Sequence, residues 1–155
     1  DGEAMIRQTA KKIGRTALAA FLCACLSACA SGPAHPDGWT QAGDGVWTSG
    51  SQRYQLTAQP YGGDLKALGG QAVVNTVMAT KHARFVGSRP YPGCPGLGII
   101  LTFHVAGGTA PTVVQEIMSI REGRATTITY TRDASAADDP AATKAITATT
   151  CHVGV

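Results

Sequence analysis

Glutamate is nearly missing from this chain: beyond Glu3 it stands only at Glu116 and Glu122. A carboxylate pair for glycoside cleavage is therefore poorly supplied, and the adjacent Asp138 and Asp139 read as helix-capping residues. Also absent are the Gly-x-Ser-x-Gly elbow of serine hydrolases and the His-Glu-x-x-His or paired Cys-x-x-Cys spacings that signal zinc. The glycine-rich stretches Gly62–Gly70 and Pro92–Gly98 match neither the phosphate-loop nor the dinucleotide pattern and read as turns. Aromatic residues make up 6% and charged residues 15% of the 155 positions, so the core is expected to be light. The formal charge of +3 is also thin. Arg7, Lys11, Lys12 and Arg15 supply most of it, and from residue 29 onward nine Lys/Arg face eight Asp/Glu. A nucleic-acid surface needs a clustered basic face, so no nucleic-acid partner is expected, nor any metal or cofactor.

What the chain does have is cysteine, in an uneven distribution. Three of five fall in Leu22–Gly32, "LCACLSACASG". From Met5, the expected translation start, a basic segment leads into the apolar run Thr16–Leu26 and then into small residues. Eleven helical residues rise about 16 Å, well short of the ~30 Å hydrocarbon core, which makes a transmembrane helix the poorer reading. A Cys-x-Cys-x3-Cys metal cluster would place thiolates in an apolar run with no supporting polar groups. Cys23 and Cys25 read instead as apolar filler in a signal peptide. Leu26-Ser27-Ala28-Cys29 resembles the lipobox of bacterial lipoproteins. That resemblance implies cleavage before Cys29, diacylglycerol on its sulfur, and firm membrane anchoring by several acyl chains. Ala30, in place of the Asp that favours inner-membrane retention, implies an outer-membrane location facing the periplasm. In a Gram-positive host the same anchor would lie on the outer face of the plasma membrane.

Three segments are expected: residues 1–28 as leader and signal peptide, 29–45 as a Gly/Pro-rich tether including His35 and Trp39, and 46–155 as one folded domain. Within that domain, two short strands flank Gly50-Ser51, with Tyr54, Leu56 and Ala58 alternating to one side. A helix follows, capped by Asp64 and secure over about Gln71–His82, because Gly69-Gly70 weakens its first half. Ala83–Val86 and Gly98–Val105 read as strands. Two runs rich in Val, Ile, Thr and Tyr around Glu122-Gly123 predict an antiparallel hairpin. Asp139 as N-cap and Pro140 at the first helical position open a terminal helix, with Ala142, Ala145, Ile146 and Thr149 toward the sheet. The expected class is α+β: a single domain whose antiparallel sheet is packed by two helices, in the order ββαββββα. Over Val46–Cys151 this order, with its closing strand-to-helix passage "ITYTRD…DPAATKAI", resembles the Mog1/PsbP-like sandwich. That resemblance implies a protein that binds or supports partners and is not an enzyme.

Beyond Cys29, Cys94 in "YPGCPG" and Cys151 form an even pair, which in an oxidising compartment points to a disulfide. Such a bond suits a small domain with few aromatics. The sharper alternative is a small-ligand-binding module or thiol-dependent enzyme at the Cys94 loop, with Arg89, His104 or His152 lowering the thiol pKa. The histidines otherwise lack ligand spacing. Lys81, His82, Arg84, Arg89 and Tyr91 collect on one loop-rich stretch; Arg84, Arg89 and Tyr91 are the candidate partner surface. The functional expectation is a lipid-anchored envelope protein that acts through an envelope protein or peptidoglycan, without a catalytic site.

Overall fold

A computed structural model describes residues 34–151. Cys23, Cys25, Cys29 and His152 lie outside them. The strands are β1 (Thr40–Gly43), β2 (Val46–Ser49), β3 (Gln52–Pro60), β4 (Ala83–Pro90), β5 (Gly98–Val105), β6 (Thr112–Arg121) and β7 (Arg124–Asp133). Helix α1 (Leu65–Ala79) follows β3, and α2 (Pro140–Cys151) follows β7. All seven strands form one antiparallel sheet in the order β1-β2-β3-β7-β6-β5-β4. After β3 the chain crosses through α1 to the far edge and returns as the meander β4 to β7. The α+β class holds.

Strand parity sends apolar side chains to both faces, and each face carries one helix. Ile100, Ile117 and Ile128 pair in one row, with Tyr54, Tyr130 and Trp47 beside them, and Ala142, Ala145 and Ile146 of α2 close that side. The opposite parity places Leu101, Phe103, Met118 and Ala125 under Leu68 of α1. The β6–β7 hairpin turns at Glu122-Gly123, with φ of 47° and 71°; positive φ at both positions matches the twist of the flanking strands. Helix α2 is capped as expected, the Ala141 and Ala142 N–H groups donating to Asp139 Oδ1 at 2.8 and 3.1 Å. Thr150 is fully buried, while Thr149 is half-buried and donates to the Ala34 carbonyl at 3.5 Å.

Three expectations are corrected. First, α1 begins at Leu65 and ends at Ala79, so Gly69-Gly70 does not weaken its start and His82 is not helical. Asp64 Oδ1 accepts from the Ala67 N–H at 2.7 Å, which nucleates the first turn. A Cβ at Gly69 would lie 2.7 Å from Ile99 Cδ1, so the glycine lets the helix settle close onto β5. Second, β4 runs to Pro90, four residues past the expected end at Val86.

Third, the proposed tether is not a tether over its described part. Thr40–Gly43 is a strand, and residues 34–39 lie against the core as a strap. Pro36 is fully buried, the His35 ring stacks on Trp47 with centroids 5.2 Å apart, and Trp39 meets Tyr130 at 6.4 Å. Tyr54 Oη donates to the Ala34 carbonyl at 3.1 Å. Burial pushes the Tyr54 phenol up to about 12, so this donor keeps its proton at neutral pH. Gly, Pro and Asp suggested flexibility, but Pro36 and Trp39 have apolar surface to bury, and Trp47, Tyr130 and the end of the sheet beside α2 give it a place.

Candidate binding cleft

Beside α2, on the side away from the strap, a cleft of about 110 Å³ opens over β4, β5 and β6. Its floor is Ile100 and Ile117, with Tyr130 and Gln115 behind them. One wall is Thr143 and Ile146 of α2 with Asp138. The other is Arg89, Tyr91 and Pro92 at the end of β4.

The wall at Tyr91 is built by local chemistry. The loop after β4 folds back through Tyr91 N–H to the Gly98 carbonyl (2.9 Å), Cys94 N–H to Tyr91 (3.2 Å) and Leu97 N–H to Cys94 (3.1 Å). Two links tie this loop to α2. Tyr91 Oη lies 2.7 Å from Thr147 Oγ1, and Cys94 is disulfide-bonded to Cys151, with Cα atoms 5.5 Å apart. Thr143, Thr147 and Cys151 are spaced four apart, so they share one stripe of the helix. That stripe faces the loop, while Ala142, Ala145 and Ile146 face the sheet. The spacing was present in the sequence, but it gains meaning only once Cys94 and Tyr91 are known to sit opposite.

Most polar groups of the cleft are already engaged. Asp138 accepts from Arg132 Nε at 2.6 Å. Tyr130 Oη donates to Gln52 Oε1 and accepts from the Asp139 N–H, while burial pushes its pKa up. Thr143 Oγ1 donates to the Asp139 carbonyl at 3.0 Å. Arg89 and Gln115, by contrast, make no side-chain hydrogen bond or ion pair among the described residues.

The candidate partner surface divides. Arg84 and Arg89 are an odd number of residues apart and would face opposite sides of a regular strand. A bulge between Phe85 and Gly87 shifts the register, so Arg84 pairs with His104 and Arg89 with Ile100, and both arginines face the α2 side. Phe85 turns to the other face, 5.5 Å from Phe103. Tyr91 is corrected: only 7% exposed, it is a core residue whose edge lines the cleft. Its ring has too much apolar area to leave in water when α2 offers Thr147 for its hydroxyl. Of the two described groups expected beside Cys94, Arg89 lines the cleft and His104 does not. His104 is exposed on the same sheet face but outside the lining. The sulfur that a thiol-dependent mechanism would require is held in the bond to Cys151.

Sequence reasoning passed over Glu116, a buried carboxylate on the α1 face that accepts from Thr76 Oγ1. Burial raises its pKa from the ordinary 4.5, against the smaller opposing effect of Thr76. A raised acid is unpenalised below its ordinary pKa, and folding stability is lost as pH rises through the shifted value. Glu116→Gln keeps an acceptor for Thr76 and removes the charge. It is expected to raise the melting temperature at pH 7 and to leave it nearly unchanged near pH 4, measured by thermal melts across that range. An equal effect at both pH values would remove Glu116 ionisation as the cause.

Among the described residues no group of three His, Cys, Asp or Glu is placed to hold a metal ion. No helix among them is long and apolar enough to cross a membrane. No protein-family model matches the chain, and neither does any curated protein.

Proposed function

We propose that this chain is a lipid-anchored cell-envelope protein, held at the periplasmic face of the outer membrane through Cys29, that acts by binding a partner at the cleft beside α2. The observation that carries the binding role is the cleft itself: an apolar floor with an uncommitted arginine at its rim and walls braced by a disulfide. Preformed pockets of this kind act as sockets for anchor residues in protein interfaces. Drug-sized ligand sites occupy ~300–1,000 Å³, so a cleft of about 110 Å³ suits one inserted side chain better than a whole small molecule. The partner is an envelope protein or peptidoglycan.

The lipobox Leu26–Cys29 supports the anchoring, and the packed strap sharpens its consequence. Five residue steps separate Cys29 from Ala34, whose carbonyl accepts from Tyr54, and they reach at most about 17 Å. The domain would therefore ride close to the bilayer instead of at the end of a long tether. Cys29→Ser is expected to abolish metabolic labelling with a fatty acid and to move the protein from the membrane to the soluble fraction. A variant that still partitions with membranes would refute the anchor. A photo-crosslinking residue at position 143, on the exposed rim of α2, should capture an envelope protein or sacculus fragment in cells. Crosslinks unaffected by blocking the cleft would place the contact elsewhere.

A further inference from the structure

We infer that the cleft captures the C-terminus of a polypeptide whose last residue is a branched aliphatic, with Arg89 and Gln115 holding its carboxylate. This rests on the binding reading above and names the chemistry of the bound partner. The apolar floor of Ile100 and Ile117, with Ile146 in the adjoining wall, asks for an apolar side chain. An apolar cavity of about 150 Å³ holds one benzene, so about 110 Å³ favours valine, leucine or isoleucine over an aromatic residue.

The polar groups define the rest. Arg89 offers a planar fork of donors suited to a carboxylate, and Gln115 adds an amide. Arg89 stands opposite Ile100 and Gln115 opposite Thr102, so the two lie two strands apart and two residues offset along the strand, about 12 Å between their backbones, and both side chains line the cleft. The charge around them is one-sided. Neither β4 nor β5 contains Asp or Glu, Arg84 lies on the same face, and Asp138 in the cleft wall is engaged by Arg132. A free amino acid would bring an ammonium group for which the cleft offers only Asp138, already paired with Arg132. A peptide C-terminus carries the carboxylate and the side chain on one residue, and its remaining charge lies farther away.

The test uses the purified full chain and a fluorescent pentapeptide, Gly-Ser-Gly-Ala-Leu, made as the free acid and as the C-terminal amide. The free acid should bind at least tenfold more tightly. Arg89→Gln, at an exposed side chain without a partner among the described residues, should lower the acid to the level of the amide while leaving the melting temperature unchanged. Pro92→Trp, on the exposed rim across from α2, should block both peptides by filling the cleft. Equal binding of acid and amide, or an unchanged affinity in Arg89→Gln, overturns the proposal. So does free leucine competing as well as the peptide acid, or Arg89-dependent binding to vesicles containing phosphatidylglycerol, which would assign the arginine to a phosphate headgroup. If residue 143 crosslinks an envelope partner in cells while the peptide acid fails to bind, the binding role stands and the carboxylate chemistry falls.

Discussion

Reducing the Cys94–Cys151 bond is expected to cost the domain about 4 kcal/mol, from the unfolded-chain entropy of a loop closed over a sequence separation of 57. Small domains hold about 5–15 kcal/mol in total, so the loss is a large share, equivalent to a fall of roughly 10–20 °C in melting temperature. Thermal melts with and without reductant, repeated on the Cys94→Ser/Cys151→Ser double variant, measure it. The two routes should agree, because both act on the same link. After reduction the Tyr91–Thr147 hydrogen bond is what still ties the loop to α2 among the described residues, so the wall of the cleft should loosen while the sheet survives. Hydrogen exchange confined to residues 91–98 and the end of α2 would show that selectivity. Unchanged melts, or labelling of both cysteines without reductant, would show that the bond contributes nothing.

Phe103→Ala is expected to cost about 3–5 kcal/mol, the range for emptying a buried aromatic site. Phe103 has no exposed surface, belongs to the cluster under α1, and contacts the Phe85 ring. Its neighbour His104 points to the other face and is exposed. His104→Ala should therefore stay within about 0.5 kcal/mol, as surface changes usually do. Urea unfolding of the pair tests the strand register directly, since a slip of one residue would exchange the two environments. A costly His104 variant beside a mild Phe103 variant would contradict the register of β5 against β6.

Much of the fold was legible because its signals are local. The alternation of Thr126, Ile128 and Tyr130 with Thr127, Thr129 and Thr131, and the Glu122-Gly123 pair between β6 and β7, specify a hairpin within 22 residues. Asp139-Pro140 sets the start of α2, and the eight-residue apolar run Gly98–Val105 is β5 itself. The cysteine pairing followed from an even count and an expected oxidising compartment, without geometry. What misled were residues whose meaning depends on a distant surface. Gly69-Gly70 looks like a helix breaker until Ile99 is found against it. His35, Pro36 and Trp39 look like tail residues until Trp47, Tyr130 and the end of the sheet beside α2 are found next to them. Tyr91 looks like a loop aromatic until Thr147 receives its hydroxyl.

The sequence by itself determined both helices and most of the strands to within a few residues, the alternation of the β6–β7 hairpin and the two cysteines able to pair, and it holds the Leu26–Cys29 stretch whose resemblance to a lipobox motivates the proposed anchor. These depend on periodicity, caps and composition, which act over a few residues. Only the tertiary structure decided that the helices take opposite faces of the sheet and that β3 pairs with β7. It also decided that the bulge after Phe85 turns Arg84 and Arg89 to one side, and that the Cys94 loop and α2 together bound a cleft. Those outcomes require segments dozens of residues apart to meet, and the apolar area that drives their meeting carries no label of its partner.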